Sequence, residues 1–499
     1  KPCVPPAAKL TADEDAPEEM WKEVMDREEG VLRPAAFCER VRRRRVAAID
    51  LSNRKEIVSA HRGGVNSLQV DLTECRFLLS GASDGSAAVY DIQHPTDHEG
   101  GGRVEKHRCL FVVDKQHGHG HKFAVSSVAW YPVDTGLFIT GSFDHHIKVW
   151  DTNTTQVVMD FKMPGKVYGT AMSAIATTHM LIAAGTEDVQ VRLCDIASGA
   201  FTHTLSGHRV WSTLYPCSMS NKQFGLRDLP QMADGIMAVE WSTSSEWVLM
   251  TGGCDGAIRF WDIRRAGCFL VLDQSQTQFG RRPPFSESSL KQVSLSQLIS
   301  MRETSPANKI VSHQKKPHGR GANKLPIFHQ GIHRKGSNLQ RLHPGMSSSR
   351  NRATAHYGSV TGLRPTEDGM YLLSTGSDSR LRLWDIESGC NTLVNFEATH
   401  LQTKSLQLAV TEDSSLVFVP CMTALKAFDM WSGTTFRVFR GHYESVNCCF
   451  FNSHDQELYT GSNDRQILVW SPPSEVIAEG DELTSELHNP LADQDQWSD

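Results

Sequence analysis

The sequence is poor in the features that staple, anchor or export a chain. Its 12 cysteines include no Cys-x-x-Cys pair, and several stand inside apolar runs, such as Cys448 and Cys449 in VNCCFF. A thiol so placed is a small core residue, so neither a disulfide frame nor a zinc site is expected and a reducing compartment fits. No apolar run reaches the ~18 residues of a membrane span, and the opening KPCVPPAAKL has no signal-peptide core. The expected compartment is cytosol or nucleus, without membrane contact. Because the first residue is Lys1 and not Met, further residues are expected before it. A net charge of -6 on 499 residues does not point to nucleic acid as an overall partner.

What charge there is lies in runs. Residues 42–45 are four arginines, residues 273–355 hold 14 Lys or Arg against 3 acids, and the last 29 residues hold 8 acids and no Lys or Arg. Between these runs one phrase recurs: a small-residue run, an Asp, and an aromatic six residues later. The copies are LLSGASDGSAAVYD, FITGSFDHHIKVWD, IAAGTEDVQVRLCD, LMTGGCDGAIRFWD, LLSTGSDSRLRLWD and LYTGSNDRQILVWS, with Asp at 84, 144, 188, 255, 378 and 464. The gap between the last two Asp residues is twice the ~43 residues of such a repeat, and SSLVFVPCMTALKAFDMWSG, with Phe428 near the aromatic position, fits there as a degenerate seventh unit.

Ahead of five copies stands a His, at 61, 121, 208, 356 and 442, followed by an alternating strand such as VSSVAWY or IMAVEW. Four residues before each of the matching Asp residues stands a hydroxyl: Ser80, Thr140, Thr251, Ser374 and Thr460. This pattern resembles the WD-repeat family, in which such residues form a buried hydrogen-bonded chain. The resemblance implies an all-β fold, a seven-bladed WD-repeat β-propeller spanning 46–472. The physics agrees: an indole donates, a hydroxyl and an imidazole each donate and accept, and a carboxylate accepts, so every buried polar group finds a partner. Four units carry all members, namely His121, Thr140, Asp144 and Trp150; His208, Thr251, Asp255 and Trp261; His356, Ser374, Asp378 and Trp384; and His442, Thr460, Asp464 and Trp470. The first has His61, Ser80, Asp84 and Tyr90, and the Asp188 unit has Ala184 and Cys194, so these two blades are expected to be held by packing more than by polar ties. Asp, His and Ser also invite a hydrolase reading. A nucleophile triad, however, occurs once, in an open cleft, whereas this set recurs at a fixed period, as a structural tie does. No catalytic residue, cofactor or metal site is expected.

The segment VAAIDLSN at 46–53 is the expected closing strand of the last blade, which otherwise presents an open edge. Two stretches break the period. Residues 211–234 form an expected loop between His208 and the strand IMAVEW, and residues 273–355, with histidines at 313, 318, 329, 333 and 343 in no metal-site spacing, read as an unstructured basic insertion. Before the repeats, residues 1–45 predict a helix-loop-helix: Met20, Trp21, Val24 and Met25 share one helical face, Gly30 ends the first helix, and Pro34 opens a second that carries Phe37 and Val41 and ends in arginines. Such a pair cannot bury Trp21 and Phe37 alone, so it packs on the ring or on a partner. Residues 473–499 are an acidic tail.

Phrases such as WYPVDTGLFITGSFDHHIKVWDTNT, WDIRRAGCFLVLDQ, SGCNTLVNF, GHYESVNCCFF and QELYTGSNDRQILVWSPPS make the chain similar to the Cockayne syndrome group A family of substrate receptors of cullin-4 RING ubiquitin ligases, which act in transcription-coupled nucleotide excision repair. The two long insertions exceed that family's pattern. The resemblance implies a nuclear receptor without enzymatic activity. Its partners would be the triple-propeller damaged-DNA-binding adaptor, cullin-4 and the RING subunit through it, a Cockayne syndrome group B-like translocase, and the RNA polymerase II elongation complex, with no sequence-specific nucleic-acid binding. It further implies that Trp21, Val24, Met25, Phe37 and Arg43, with Asp262, Arg264 and Arg265 of a Trp-Asp-x-Arg docking box, face the adaptor on the helices and the wide rim. Phe143, Arg209, Tyr357, Tyr443 and Asn463, beside the His and Asp turns, are the candidates for the opposite, partner-binding rim. Two alternatives stay open: a non-ligase scaffold of chromatin or signalling complexes, and an enzyme built on a propeller.

Overall fold

The computed structural model describes residues 16–99, 104–209, 235–265, 267–274 and 354–473. The loop at 211–234, almost all of 273–355 with its five histidines, and the tail beyond 473 lie outside the described residues. The chain divides into two units, one of residues up to 52 together with those from 470 onward, the other of residues 53–469.

In the first unit, helix α1 spans Ala16–Glu28 and helix α2 spans Pro34–Ala47. Gly30 takes the left-handed φ of 76° beyond the last turn of α1, a conformation that costs glycine nothing. Pro34 sits at the start of α2, where an N–H has no intrahelical acceptor anyway. Glu23 ties the two helices by ion pairs to Arg40 at 3.1 Å and to Arg44. Beyond α2, Asp50–Leu51 pair antiparallel with Trp470 and Ser471.

Among the described residues the strands form seven blades of four antiparallel strands; five blades are separate sheets, and the parallel pairing noted below joins blades 1 and 7 into one ten-stranded sheet. Blade 1 is Val65–Val70, Phe77–Ala82, Ala87–Asp91 and Val104–Val113; blade 2 is Val125–Trp130, Leu137–Ser142, His146–Asp151 and Val157–Lys162. Blade 3 is Val167–Met172, Leu181–Thr186, Gln190–Asp195 and Ala200–Ser206; blade 4 is Ile236–Trp241, Val248–Gly253, Ile258–Asp262 and Cys268–Leu272. Blade 5 is Val360–Pro365, Tyr371–Gly376, Leu381–Asp385 and Cys390–Asn391; blade 6 is Ala409–Val410, Leu416–Cys421, Ala424–Asp429 and Thr435–Arg440. Blade 7 is Val446–Asn452, Glu457–Ser462 and Ile467–Ser471, completed by Lys55–Val58 from the other end of the sequence. The fold is an all-β WD-repeat propeller, with the degenerate unit around Phe428 as blade 6.

Second strands are apolar on both faces because each is covered by a neighbouring blade on either side; all six residues of Val248–Gly253 are buried. The cores therefore lie between blades. Leu79 and Val89 of blade 1 meet Val125, Phe138 and Trp150 of blade 2, and Phe260 of blade 4 meets Val360 and Trp384 of blade 5. The register slips by one residue near the start of the inner strand in six blades, as between Val125 and Ser127, which adds twist to the strand.

The closing strand differs from the expected 46–53. Val46 and Ala47 finish α2, whose hydrogen bonds run on to Ala48 N–H and Arg44 O at 3.0 Å. The arginine run favours the helix end, where cations complement the dipole. The strand that completes blade 7 is Lys55–Val58, with Ile57 buried and paired to Ile467. It also pairs in parallel with Glu105–Arg108 of blade 1, and Lys55 Nζ bonds both oxygens of Glu457 at 3.0 and 2.9 Å.

Candidate functional site

The repeated polar residues meet as the sequence spacing predicts. In blade 2 the Trp150 indole N–H donates to Thr140 Oγ1 at 2.8 Å, the Thr140 hydroxyl lies 2.7 Å from His121 Nε2, and His121 Nδ1 lies 2.8 Å from Asp144 Oδ2. Blade 4 repeats this with Trp261, Thr251, His208 and Asp255 at 2.8, 2.8 and 2.9 Å. Blade 5 does so with Trp384, Ser374, His356 and Asp378 at 2.8, 2.8 and 3.0 Å. In blade 7, His442 lies 2.8 Å from both Thr460 Oγ1 and Asp464 Oδ2, and Trp470 is buried on the strand Ile467–Ser471. A neutral imidazole with its proton on Nδ1 satisfies each of these links in blades 2, 4 and 7, whereas in blade 5 Arg382 Nη1 approaches His356 Nδ1 at 2.5 Å and donates to Asp378 at 2.9 Å. Burial holds His356 and His442 below the ordinary imidazole value. For Asp144 and Asp378 burial is the largest single influence and acts in the opposite sense, yet the hydrogen bonds and charge of His121 and His356, with Arg382 beside Asp378 and the N–H groups of Lys122 and Tyr357, together outweigh it and keep both carboxyls well below the usual range. The hydroxyls are fully buried and committed at both ends, so they have no route to a substrate. Among the described residues no group of three or more His, Cys, Asp or Glu could hold a metal ion.

Blade 1 corrects the expectation that it relies on packing. Tyr90 turns its hydroxyl to accept from Ala60 N–H at 3.0 Å, and Ser86 enters the chain in compensation: its Oγ lies 2.6 Å from His61 Nδ1 and donates to Asp84 Oδ1 at 2.5 Å. His61 Nε2 reaches Ser80 Oγ at 2.6 Å, and burial lowers the His61 pKa to about 4. In blade 3, by contrast, Ala184 and Cys194 are wholly buried in an apolar cluster, and Asp188 meets only Arg192, at 3.5 Å, and Thr186.

Each Asp also shapes the rim. Its carboxylate accepts the N–H two residues on, from Ser86, His146, Ala257, Arg380 and Gln466 at 2.9–3.2 Å, which holds the intervening residue left-handed. That residue is Gly85 or Gly256 in two blades but His145, Ser379 and Arg465 in the others, with φ of 72°, 55° and 72°, a cost of about 1 kcal/mol or more for each non-glycine. The same carboxylate accepts the N–H of the residue after the His, from Arg62, Lys122, Arg209, Tyr357 and Tyr443 at 2.8–3.1 Å. Five basic or aromatic side chains are thereby set at equivalent points of one rim, with Tyr357 69% and Tyr443 89% exposed. Sequence reasoning named Arg209, Tyr357 and Tyr443 and missed Arg62 and Lys122, although the position after each His was the signal. Phe143 is half-buried, edge-on to Tyr168 at 5.9 Å. Asn463 is half-buried and serves the structure: its Oδ1 accepts from Asn447 Nδ2 at 2.8 Å, and the same Asn447 amide donates to Val65 O, joining blade 7 to blade 1.

On the opposite rim the Trp-Asp-x-Arg turn of blade 4 closes on itself. Arg264 bonds Asp262 in bidentate fashion, 3.0 Å for each of Nε and Nη2, and lies 5.3 Å from the centroid of the Trp247 ring; Arg265 Nε is 3.6 Å from Asp262. What faces outward here is apolar: Leu72, Val133, Ile175, Met180 and Met370, all exposed, occupy the turns between first and second strands. The sequence reading did not single them out, though each follows an inner strand within a few residues. In the helical unit Trp21 is 67% and Met25 51% exposed, Met20 lies beside them, and Val24 is half-buried. Phe37 is half-covered by Arg27, whose guanidinium is 5.3 Å from the ring centroid, and Arg43 pairs with Glu39 at 2.7 Å.

The WD domain, G-beta repeat family matches residues 111–151, 226–262, 348–385 and 433–471. These end on the third strands of blades 2, 4, 5 and 7, the four units with a complete residue set. WD repeat-containing protein ATCSA-1 of Arabidopsis thaliana is 60% identical over 484 residues, 96% of this chain and 100% of that protein. Radiation-sensitive protein 28 of Saccharomyces cerevisiae is 24% identical over 160 residues, 32% of this chain and 28% of its own. A ribosome biogenesis protein WDR12 homolog of Drosophila erecta is 26% identical over 219 residues, 43% of this chain and 45% of its own. The resemblance drawn from sequence phrases is corrected to a plant relative, WD repeat-containing protein ATCSA-1, which matches almost the whole chain.

Proposed function

The chain belongs to the family of WD repeat-containing protein ATCSA-1, and on that premise we propose that it is the nuclear substrate-recognition subunit of a cullin-4 RING ubiquitin ligase in transcription-coupled nucleotide excision repair. The observation that carries this reading is the uncovered apolar face of the helix pair, Met20, Trp21 and Met25. A tryptophan and a methionine left this exposed on one short helix form the kind of anchor that fills a pocket of a partner. In this reading the helices enter the triple-propeller damaged-DNA-binding adaptor, which leads to cullin-4 and the RING subunit. The rim of Arg62, Lys122, Arg209, Tyr357 and Tyr443 holds a Cockayne syndrome group B-like translocase at a stalled RNA polymerase II elongation complex. Cationic and aromatic side chains on rigid turns suit an acidic protein surface. Bond making belongs to the ligase partners, in keeping with hydroxyls and imidazoles that are sealed into structural chains.

Affinity purification of the full chain under mild conditions tests the reading. Trp21→Ala removes about 2 kcal/mol or more of binding if the residue is an anchor, so the adaptor is lost from the eluate while the thermal midpoint stays unchanged. Arg264→Ala weakens recovery less, because that guanidinium already serves Asp262. Undiminished recovery with both variants overturns the proposal.

A further inference from the structure

The inner strands of the propeller surround a cavity of about 460 Å³. Most polar groups on its wall are consumed by one another. Gln407 accepts from Leu68 N–H and donates to Leu68 O at 3.0 and 2.6 Å, Ser127 Oγ meets Thr170 Oγ1 at 2.9 Å, and Ser405 donates to Met237 O at 3.2 Å. Three lining residues are charged: Glu240 on the inner strand of blade 4, and Arg364 and Glu367 of blade 5. Arg364 Nη2 pairs with Glu367 at 3.5 Å, which leaves its Nε buried without an acceptor. Glu240 has no hydrogen-bond or ion-pair partner among the described residues. It is half-buried and opens on the cavity, and partial burial raises its pKa to about 7, against the pull of Arg364.

We propose that the Glu240 end of this cavity binds a single cationic side chain, the arginine or lysine of a peptide whose flanking residues are apolar. Arg364 is already paired with Glu367, so the charge left on the wall is the carboxylate of Glu240, and a half-buried carboxylate that faces a cavity without a donor from the protein is satisfied by a proton, by water or by an entering cation, of which the cation gains most. The apolar preference follows from the cavity mouth, whose lining includes Leu72, Pro132 and Ile175 on the rim that also exposes Val133, Met180 and Met370. An inserted guanidinium or ammonium meets the carboxylate inside while its neighbours rest on that collar. The inference stands apart from the ligase reading, since it concerns the ring alone.

Calorimetric titration of the full chain with four capped pentapeptides, Gly-Leu-X-Leu-Gly with X as Arg, Lys, Gln or Glu, tests it. The Arg and Lys peptides bind roughly ten-fold or more tightly than the Gln peptide, and Glu240→Gln removes the difference. Their affinity rises as pH climbs through 7, and binding at pH 6.5 releases protons, because a cation draws Glu240 into its ionised form. Arg364→Gln relieves the cavity of its competing cation and tightens binding, a gain that a misfolded chain cannot produce. Failure of every peptide to bind, equal binding of the Gln peptide, or indifference to Glu240→Gln overturns the proposal.

Discussion

Replacing Thr140 by Val isolates the worth of one buried chain. Valine keeps the branched shape and nearly the volume of threonine, so little cavity is made, and what disappears is a single oxygen. That oxygen accepts the Trp150 indole N–H at 2.8 Å and meets His121 Nε2 at 2.7 Å, in a place where Thr140, Trp150 and His121 are 0%, 1% and 2% exposed. No water reaches the two groups left behind. Each stranded donor or acceptor costs about 1–3 kcal/mol, so Thr140→Val destabilises the ring by about 2–5 kcal/mol. Trp150→Phe deletes one of the same hydrogen bonds, so Thr140→Val and Trp150→Phe together cost less than their sum. Blade 3 has the apolar solution already, with Ala184 and Cys194 buried at these two positions. Urea unfolding followed by tryptophan fluorescence and by circular dichroism reads the loss as a lower midpoint. A cost under about 0.5 kcal/mol, the size of an ordinary surface change, would refute the view that these residues tie the blade.

Acid should weaken the ring through its buried histidines before the carboxylates of the buried chains titrate. His61, His356 and His442 are held below their ordinary value by burial, so the unfolded chain takes up protons that the folded chain refuses. Their stabilisation is complete above pH 6.5 and falls by up to about 1.4 kcal/mol per pH unit for each histidine as pH drops to its folded value, which for His61 is about 4; for Asp144 and Asp378, held low instead, stability is present above about 3.8 and is lost only as pH falls further, through their folded values. Urea midpoints at pH 5, 6 and 7 check this, and a flat profile contradicts the buried neutral imidazoles. Ser86→Ala opens the bridge between His61 and Asp84 in blade 1 and lowers stability by about 1–2 kcal/mol; an unchanged midpoint would mean that blade 1 is held by packing alone.

What was legible in the sequence is what recurs. The His, hydroxyl, Asp and Trp positions recur at near-constant spacing because one hydrogen-bonded chain must span three strands of fixed width, and repetition separated that role from catalysis without coordinates. The closing strand was placed a few residues early because VAAIDLSN alternates well enough for a strand, whereas a helix already begun at Pro34 runs on through Val46 and Ala47. Blade 1 was misjudged for a different reason. Tyr90 in place of Trp looked like a lost link, and nothing local announces that Ser86, two residues past the Asp, swings in to restore it.

The surfaces were harder to read, since a rim residue is defined by what holds its backbone and not by its own type. Asn463 and Tyr443 flank equivalent turns of blade 7, yet the Asn463 side chain is consumed by Asn447 whereas the Tyr443 ring is released to solvent by a bond at its N–H. Arg264 looked like a free docking group and is folded back on Asp262. The Asp carboxylate explains both the success and the failure. Its role in the buried chain is periodic and therefore visible, while its second role, fixing the backbone of the residue after the His, runs through an N–H that every residue but proline has. The turn therefore accepts Arg62, Lys122, Arg209, Tyr357 and Tyr443 alike, and the spacing that announces the buried chain says nothing of which side chain the rim carries.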